Sequence, residues 1–409
     1  MAERARDPIK RITLKDGTIR YRFVVDVAPP GAKRDQRTYT YDKLGEARTA
    51  RAKIMAERDA GTLVRRDRHL TVADWCRQWL AGRANGRKPS TLRGYADALK
   101  PVLDAYGDRP LQSLRVADLE SLRDRMHSGE LRRVGRAGEP LSARSCNVTL
   151  TVLGAALKAA VRQQLVAVNV AELVERVPTE EDSGADRNLW DSTHAARFLA
   201  HVADDRYRVA WTLALCGLRR GEVAGLRWED VDLHGEHAGA RGFAPGTPTI
   251  AVLQARGVVA GVGEVIGSPK GKGRRGPAAY LPLPRVLVDA LKATRQAQVS
   301  ERLRAGAAYG DSGYVVADEL GRPPRPEWLS DRWKALCSEA GVPVVPLHAA
   351  RHAAASLLAD HGIADVLAAR WLGHAQVRVT HGYTHAMTDR LHLAAEALDA
   401  ALSGAVRGV

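Results

Sequence analysis

Only 4 cysteines occur in 409 residues, and none forms a CxxC pair, so neither a disulfide framework nor a thiolate metal site is indicated. Cys76, Cys146, Cys216 and Cys337 stand isolated, which predicts reduced, mostly buried thiols in a cytoplasmic protein. Aromatic residues make up 5%, with 3 Phe, so Trp and Leu must fill the cores. No apolar run reaches the length of a membrane span, and the opening MAERARDPIKR lacks the apolar stretch of a secretion signal. No amphipathic basic helix or lipidation signal points to a membrane surface. Acidic residues are in deficit: 62 Lys/Arg face 47 Asp/Glu, a formal charge of +15 spread along the whole length. That excess predicts a polyanionic partner, nucleic acid first among them.

The first 66 residues hold 17 Lys/Arg against 9 Asp/Glu. Residues 10–27 (KRITLKDGTIRYRFVVDV) alternate around Lys15-Asp16-Gly17-Thr18, the pattern of a hairpin with an Asp-Gly turn. A short strand at Arg37–Tyr41 and a helix at Leu44–Ala60, closed by Gly61, complete a small α+β module. Its charge density favours strands laid in a DNA groove over an ordinary domain with a solvated basic face. Residues 70–177 read as all-helical. Thr71 is an N-cap with Asp74 completing the cap, and Trp75, Trp79 and Leu80 form the apolar stripe. Ser90 opens a second helix through Leu92, Tyr95 and Leu99, interrupted or bent at Pro101. Shorter helical periodicity at 116–127, a Gly/Arg-rich loop at 129–140 with Arg132, Arg133 and Arg136, and a long helix from Ser142 to Gln164 follow. The polar, acidic segment 178–188 reads as a linker. The largest domain, 189–409, opens with helices (191–203, 205–216, 219–227). It continues through strands (249–256, 262–268, 278–283) into a helical remainder.

Six residues of that last domain share one chemical logic: Arg219, Lys270, His348, Arg351, His374 and Tyr383. They stand in GLRRGE (217–222), SPKGKGRR (268–275), LHAARH (347–352), LGH (372–374) and GYTH (382–385). Two guanidiniums, an ammonium, two imidazoles and a phenol form no metal site, since no carboxylate or thiolate accompanies them. They suit a phosphodiester attacked by a tyrosine, with no metal, cofactor or ATP required. Arginine offers paired planar donors to non-bridging phosphate oxygens, and Arg219 and Arg351 supply two such forks from different segments. His348 and Arg351, three apart on a predicted helix, share a face. Lys270, in a Gly/Pro-rich turn between two strands, is suited to protonate a leaving 5′ oxygen, and Tyr383 is the nucleophile. Each residue alone is weak evidence, because a lone tyrosine near a C-terminus is usually a core or surface aromatic. HxxxH at His348 and His352 lacks the glutamate of a zinc-protease helix, with Ala349 in its place. His352 is therefore expected to be a buried, hydrogen-bonded partner behind the site.

These motifs resemble the tyrosine recombinase (phage integrase) family. GLRRGEVAGLRWEDVD is similar to its first catalytic box, with Arg219 as the catalytic arginine and Glu222 as its structural companion. LHAARHAAASLLADHGI resembles the second, giving His348 and Arg351, and LGHAQVRVTHGYTH the third, giving His374 and Tyr383. SPKGKGRRGPAAYLPLP is similar to the hairpin bearing the catalytic lysine; Lys270 aligns better than Lys272. Departures are Ala353 and Ala375, where a hydroxyl residue is common, and an insertion at 234–248.

The resemblance implies a multidomain, mainly α chain with small β-sheets. Its parts are an arm-binding-like module (1–66), a SAM-like core-binding domain (70–177) and a mixed, mainly helical catalytic domain (189–409). It implies a homotetramer on double-stranded DNA that exchanges strands through a 3′-phosphotyrosyl intermediate. Core-type and arm-type attachment sites, DNA-bending or excision accessory proteins and a phage or other mobile element belong to the same expectation. A type IB topoisomerase would run the same chemistry as a monomer, and a catalytically inactive DNA-binding regulator would run none. The upstream modules and the intact set of six residues speak against these two.

Overall fold

The computed structural model describes residues 8–27, 34–60, 63, 69–131, 139–179, 190–269, 276–373 and 391–403. Two compact units divide the chain, Met1–Asp182 and Ser183–Val409. The first holds two separate hydrophobic cores.

The smaller core lies under an antiparallel sheet of β1 (Lys10–Thr13), β2 (Ile19–Asp26) and β3 (Gln36–Tyr41), ordered β1-β2-β3. The expected turn closes the first hairpin: Gly17 sits at φ +83°, and Asp16 accepts the Thr18 N–H at 3.0 Å. Period-two alternation sends Phe23 and Val25 inward, where Phe23 stacks on Tyr39 and Tyr41, and α1 (Leu44–Asp59) covers that face with Ala47. The opposite face carries exposed Lys10, Arg22, Val24, Thr38 and Thr40.

The larger core is helical: α2 (Val72–Ala81), α3 (Pro89–Tyr106), α4 (Val116–Ser128) and α5 (Ala143–Arg162). Thr71 and Asp74 form the expected capping box, with the Asp74 N–H donating to Thr71 Oγ1 at 3.0 Å. Two expectations change in α3. Pro89 rather than Ser90 opens it, since a first-turn proline gives up no helical hydrogen bond. The helix then runs on through Pro101 to Tyr106. Gly129 in the left-handed region ends α4, and the loop arginines 132, 133 and 136 lie outside the described residues. Trp75 anchors the bundle by donating its indole N–H to the Ala156 carbonyl at 3.0 Å.

In the second unit, α6 (Ser192–His201), α7 (Arg208–Leu215) and α8 (Arg220–Gly225) precede the strands. β4 (Val231–Asp232), β5 (Thr249–Ala251) and β8 (Tyr280–Pro282) form one antiparallel sheet, and β6 (Ala255–Val259) with β7 (Gly263–Gly267) forms a separate hairpin. The expected strand 249–256 is thus two elements, broken where Gln254 turns to donate to the Gly225 carbonyl at 2.8 Å. The expected hairpin around Lys270 is also corrected. β7 pairs with β6 and β8 with β5, so the Gly/Pro-rich segment connects two sheets, and the hairpin itself closes before β7. α9 (Arg285–Ala305), α10 (Pro326–Glu339), α11 (Ala349–Asp360), α12 (Asp365–Leu372) and α13 (Leu391–Ser403) complete the unit. Its core gathers Trp190, Phe198, Trp211 and Trp333 into one aromatic cluster, as the scarcity of phenylalanine required. α13 adds Leu391, Leu398 and Leu402, all fully buried.

Because the first two cores close on their own residues, a truncated chain starting at His69 should lose α1 but keep helices α2 to α13 and unfold within a few degrees of the full protein. Starting there retains the Leu70 carbonyl that accepts the Leu111 N–H at 2.8 Å. Thermal circular dichroism decides the matter: a truncated chain that loses cooperative unfolding would show that the helical core depends on the sheet module.

Candidate active site

Arg219, His348 and Arg351 lie among the described residues; Lys270, His374 and Tyr383 lie outside them. α7 ends at Cys216 and Gly217, and Gly217 adopts φ +91°, a conformation that costs glycine nothing. That turn makes Arg219 the N-cap of α8. Glu222, one turn on and 1% exposed, accepts the Arg219 backbone N–H at 2.9 Å and its guanidinium at 3.0 Å. A buried carboxylate therefore orients the Arg219 side chain, which itself keeps 22% exposure. Arg220 points elsewhere, toward Ser330 and Glu327 on α10.

Arg351 is 3% exposed in the first turn of α11. Its Nη1 donates to the Gly217 carbonyl at 2.5 Å and its Nη2 donates to the Leu372 carbonyl. Beside it, the Trp371 indole donates to the Cys216 carbonyl at 2.8 Å. Cys216 and Gly217 follow the end of α7, Leu372 is the last residue of α12, and helix ends leave such carbonyls without helical partners. Two side chains supply the missing donors. The Arg351 cation also sits at the negative ends of two helix dipoles, which offsets part of its desolvation. The approach is close: a Cβ on Gly217 would fall 2.5 Å from Leu372 Cδ2. Leu372 leads directly into Gly373 and His374, so one guanidinium ties together the first, second and third motifs.

His348 and Arg351 differ in burial. His348 is exposed and caps α11, whereas Arg351 turns into the core. The expectation of a buried His352 is corrected: His352 is exposed, its ring edge-on to His348 with centroids 5.3 Å apart. The buried positions of α11 (350, 351, 353, 354, 357 and 358) turn the 348–352 side outward.

Sequence reasoning missed a second junction. Gly221 and Gly225 press the backbone of α8 onto β6, where an added Cβ would come within 3.0 Å of Arg256 O and Arg256 N respectively. Glycines four apart in GLRRGEVAG were a legible sign of close approach. Nothing in the sequence marked Arg256, which is 5% exposed and donates to Glu264 at 2.6 and 3.1 Å and to the Pro324 carbonyl at 2.7 Å. Its guanidinium holds the Glu264 carboxyl below the usual glutamate range. The cysteines offer no competing nucleophile: burial pushes the Cys76 and Cys216 thiols up to about 12 and Cys337 to about 11.

Residues 193–390 match the model of the phage integrase family, spanning every motif that carries the six residues. A XerC-like tyrosine recombinase of Caldanaerobacter subterraneus is 24% identical over 81% of this chain and 83% of its own length. Residues 193–390 are thus a phage integrase domain, that of a tyrosine recombinase. An integrase of Saccharopolyspora erythraea is 24% identical over 94% of both proteins. The recombinase also shares its fold with the Tn1549 transposon integrase in complex with a circular-intermediate DNA, at TM-score 0.54 and 18% identity over 78% of this chain and 94% of that one. A lambda integrase tetramer bound to a Holliday junction aligns at TM-score 0.50 and 15% identity over 95% of this chain and 96% of that one. The recombinase is thus an enzyme that breaks and rejoins DNA at specific sites.

Arg351→Ala should damage stability and catalysis together. It strands two buried carbonyls, each costing about 1–3 kcal/mol when unsatisfied. If the same guanidinium also faces the phosphate, strand cleavage should drop by about 10²–10³. Arg220→Ala should leave both nearly unchanged. Thermal denaturation and single-turnover cleavage of a nicked substrate check this, and equal losses at positions 220 and 351 would undo the assignment.

Proposed function

We propose that the recombinase exchanges strands through the six residues acting on one phosphodiester. The Tyr383 phenol gives up its proton to the histidine facing it as its oxygen attacks phosphorus and becomes linked to the 3′ phosphate. The P–O bond to the 5′ oxygen breaks, and Lys270 gives that oxygen its proton, with Lys272 the alternative donor. Arg219 and Arg351 receive the charge that builds on the non-bridging oxygens, while His348 and His374 bond the phenol or a phosphate oxygen. A 5′-hydroxyl from the partner duplex then attacks the phosphotyrosine. One P–O bond is exchanged for another at each step, so neither ATP nor metal enters.

The observation that carries this reading is the Arg351 junction. Two of its five N–H donors are spent on the Gly217 and Leu372 carbonyls, which fixes the plane of the guanidinium before any DNA arrives. Glu222 does the same for Arg219. Preorganised donors of this kind suit a reaction whose transition state gathers negative charge.

A homotetramer on two synapsed core-type sites, with accessory bending or excision proteins, is the proposed working assembly, and a phage or related mobile element is the proposed cargo. The N-terminal module is proposed to read arm-type sites. Its open sheet face, with Lys10, Arg22, Thr38 and Thr40, has the charge and the side-chain size to lie in a groove.

Tyr383→Phe should bind DNA with nearly unchanged affinity, because one hydroxyl adds little to an interface dominated by phosphate contacts. It should form no covalent adduct on a nicked site in denaturing gels. An adduct that persists would move the nucleophile to another tyrosine. The chain starting at His69 should still cleave a core site but lose arm-site binding, and its affinity should depend less steeply on salt, since fewer counterions are released. Recombination of long attachment sites at the full-length rate would remove the arm-binding assignment.

A further inference from the structure

We propose that Arg256 is a positioning residue for the leaving-group lysine, fixing the β6–β7 hairpin from which the chain runs on to Lys270. This inference rests on the reading of Lys270 as the general acid.

Arg256 carries a buried charge that the chemistry does not use. An isolated two-stranded hairpin is marginal in water, and among the described residues β6–β7 is a sheet of two strands with Val262 61% and Ile266 49% exposed. Its rigidity must come from outside its own pairing, and Arg256 supplies it in three directions. Across the hairpin it forms a two-pronged pair with Glu264 on β7. Away from the hairpin it donates to the carbonyls of Pro324 at 2.7 Å and Pro323 at 3.4 Å, in the segment that opens α10. Its guanidinium also lies 5.4 Å from the Tyr314 ring centroid. Meanwhile its own backbone is the surface on which Gly221 and Gly225 of α8 rest, and α8 begins at Arg219.

One residue therefore joins the helix of the catalytic arginine to the strand pair leading toward the lysine. Lys270 follows the last residue of β7, Gly267, by three positions in sequence. Three residues reach at most roughly 10–11 Å, so the end of the hairpin limits where the ammonium can be placed. Misplacement by about 1 Å can cost about 100-fold in rate.

The test compares cleavage of a site with an ordinary 5′ oxygen and the same site with a 5′-bridging sulfur, which departs as thiolate without a proton. Full-length wild type, Arg256→Gln, Glu264→Gln and Lys270→Ala are measured in single turnover, together with DNA affinity. Arg256→Gln is expected to slow cleavage of the oxygen substrate about 10- to 100-fold and to recover most of that loss with sulfur, as Lys270→Ala does. Glu264→Gln should show the same pattern more weakly. Because Glu264 lies at the surface, this variant keeps the question answerable if Arg256→Gln does not fold. Losses at Arg256 and Glu264 that are equal on oxygen and sulfur, with Lys270→Ala rescued, would overturn the proposal and leave Arg256 a purely structural residue. Failure of sulfur to rescue Lys270→Ala would instead remove the general-acid reading, and the proposal with it.

Discussion

A guanidinium buried to 3% exposure governs the arrangement of this catalytic unit. Arg351 cannot shed its proton, so its charge must be met where it lies. The two carbonyls that meet it belong to residues 155 positions apart, Gly217 and Leu372, each at a helix C-terminal end where carbonyls lack helical partners. The need runs both ways: the helix ends require donors, and the cation requires acceptors. Trp371 completes the exchange by serving Cys216. Satisfying these groups brings three motif segments into one cluster and leaves α7, α11 and α12 little freedom to slide.

How much of this was legible in the sequence depends on whether the signal was local. The Asp-Gly hairpin, the Thr71–Asp74 cap and the apolar stripes of α2 and α5 follow from a few adjacent residues, and they appear where expected. Pro101 does not interrupt α3, because packing of Leu99 and Val102 in the core outweighs the hydrogen bond and steric adjustment that a mid-helix proline costs. The strand 249–256 was misjudged for a similar reason. Its apolar run contains a turn imposed from outside, by the hydrogen bond between Gln254 and Gly225. Of the proposed site, Arg219, His348 and Arg351 were singled out by type and spacing. The outward turn of His348 and His352, and the inward turn of Arg351, were not. Those directions follow from which face of α11 the rest of the unit covers, and a heptad-scale pattern in a run as alanine-rich as AARHAAASLLAD does not reveal it.

Charge is divided in the same spirit. The excess of +15 invites the view that basic side chains mainly serve the nucleic acid. Many arginines are nonetheless engaged within the protein. Arg109 pairs with Asp118 in the first turn of α4, Arg206 with Glu301 far along the sequence, and Arg256 with Glu264 across the β6–β7 hairpin. Arginine suits both tasks for one reason: its planar fork matches a carboxylate, a pair of carbonyls or a phosphate equally well. Net charge alone therefore cannot separate the cations that bind DNA from those that build the protein. Burial and partners can. Arg256, buried and paired with Glu264, belongs with the second group, whereas Arg22 stands exposed on the open sheet face.

The first motif shows how chemistry and packing share one short segment. Of the residues in GLRRGEVAG, Arg219 alone is assigned to the reaction, yet the others are no less constrained. Gly217 must adopt a left-handed turn and admit Leu372. Glu222 must be short enough to fold back on its own helix start and buried enough to stay there. Gly221 and Gly225 let the β6 backbone approach closely, since a Cβ at either would fall 3.0 Å from an Arg256 backbone atom and force a small shift. A six-residue helix has little stability of its own, since nucleation consumes most of what so few hydrogen bonds return. α8 persists because it is held at its start by Glu222, along its side by β6 and at its end by Gln254. An arginine placed on such an element is held by the fold rather than by the helix, and its precision is inherited from residues that never meet the substrate.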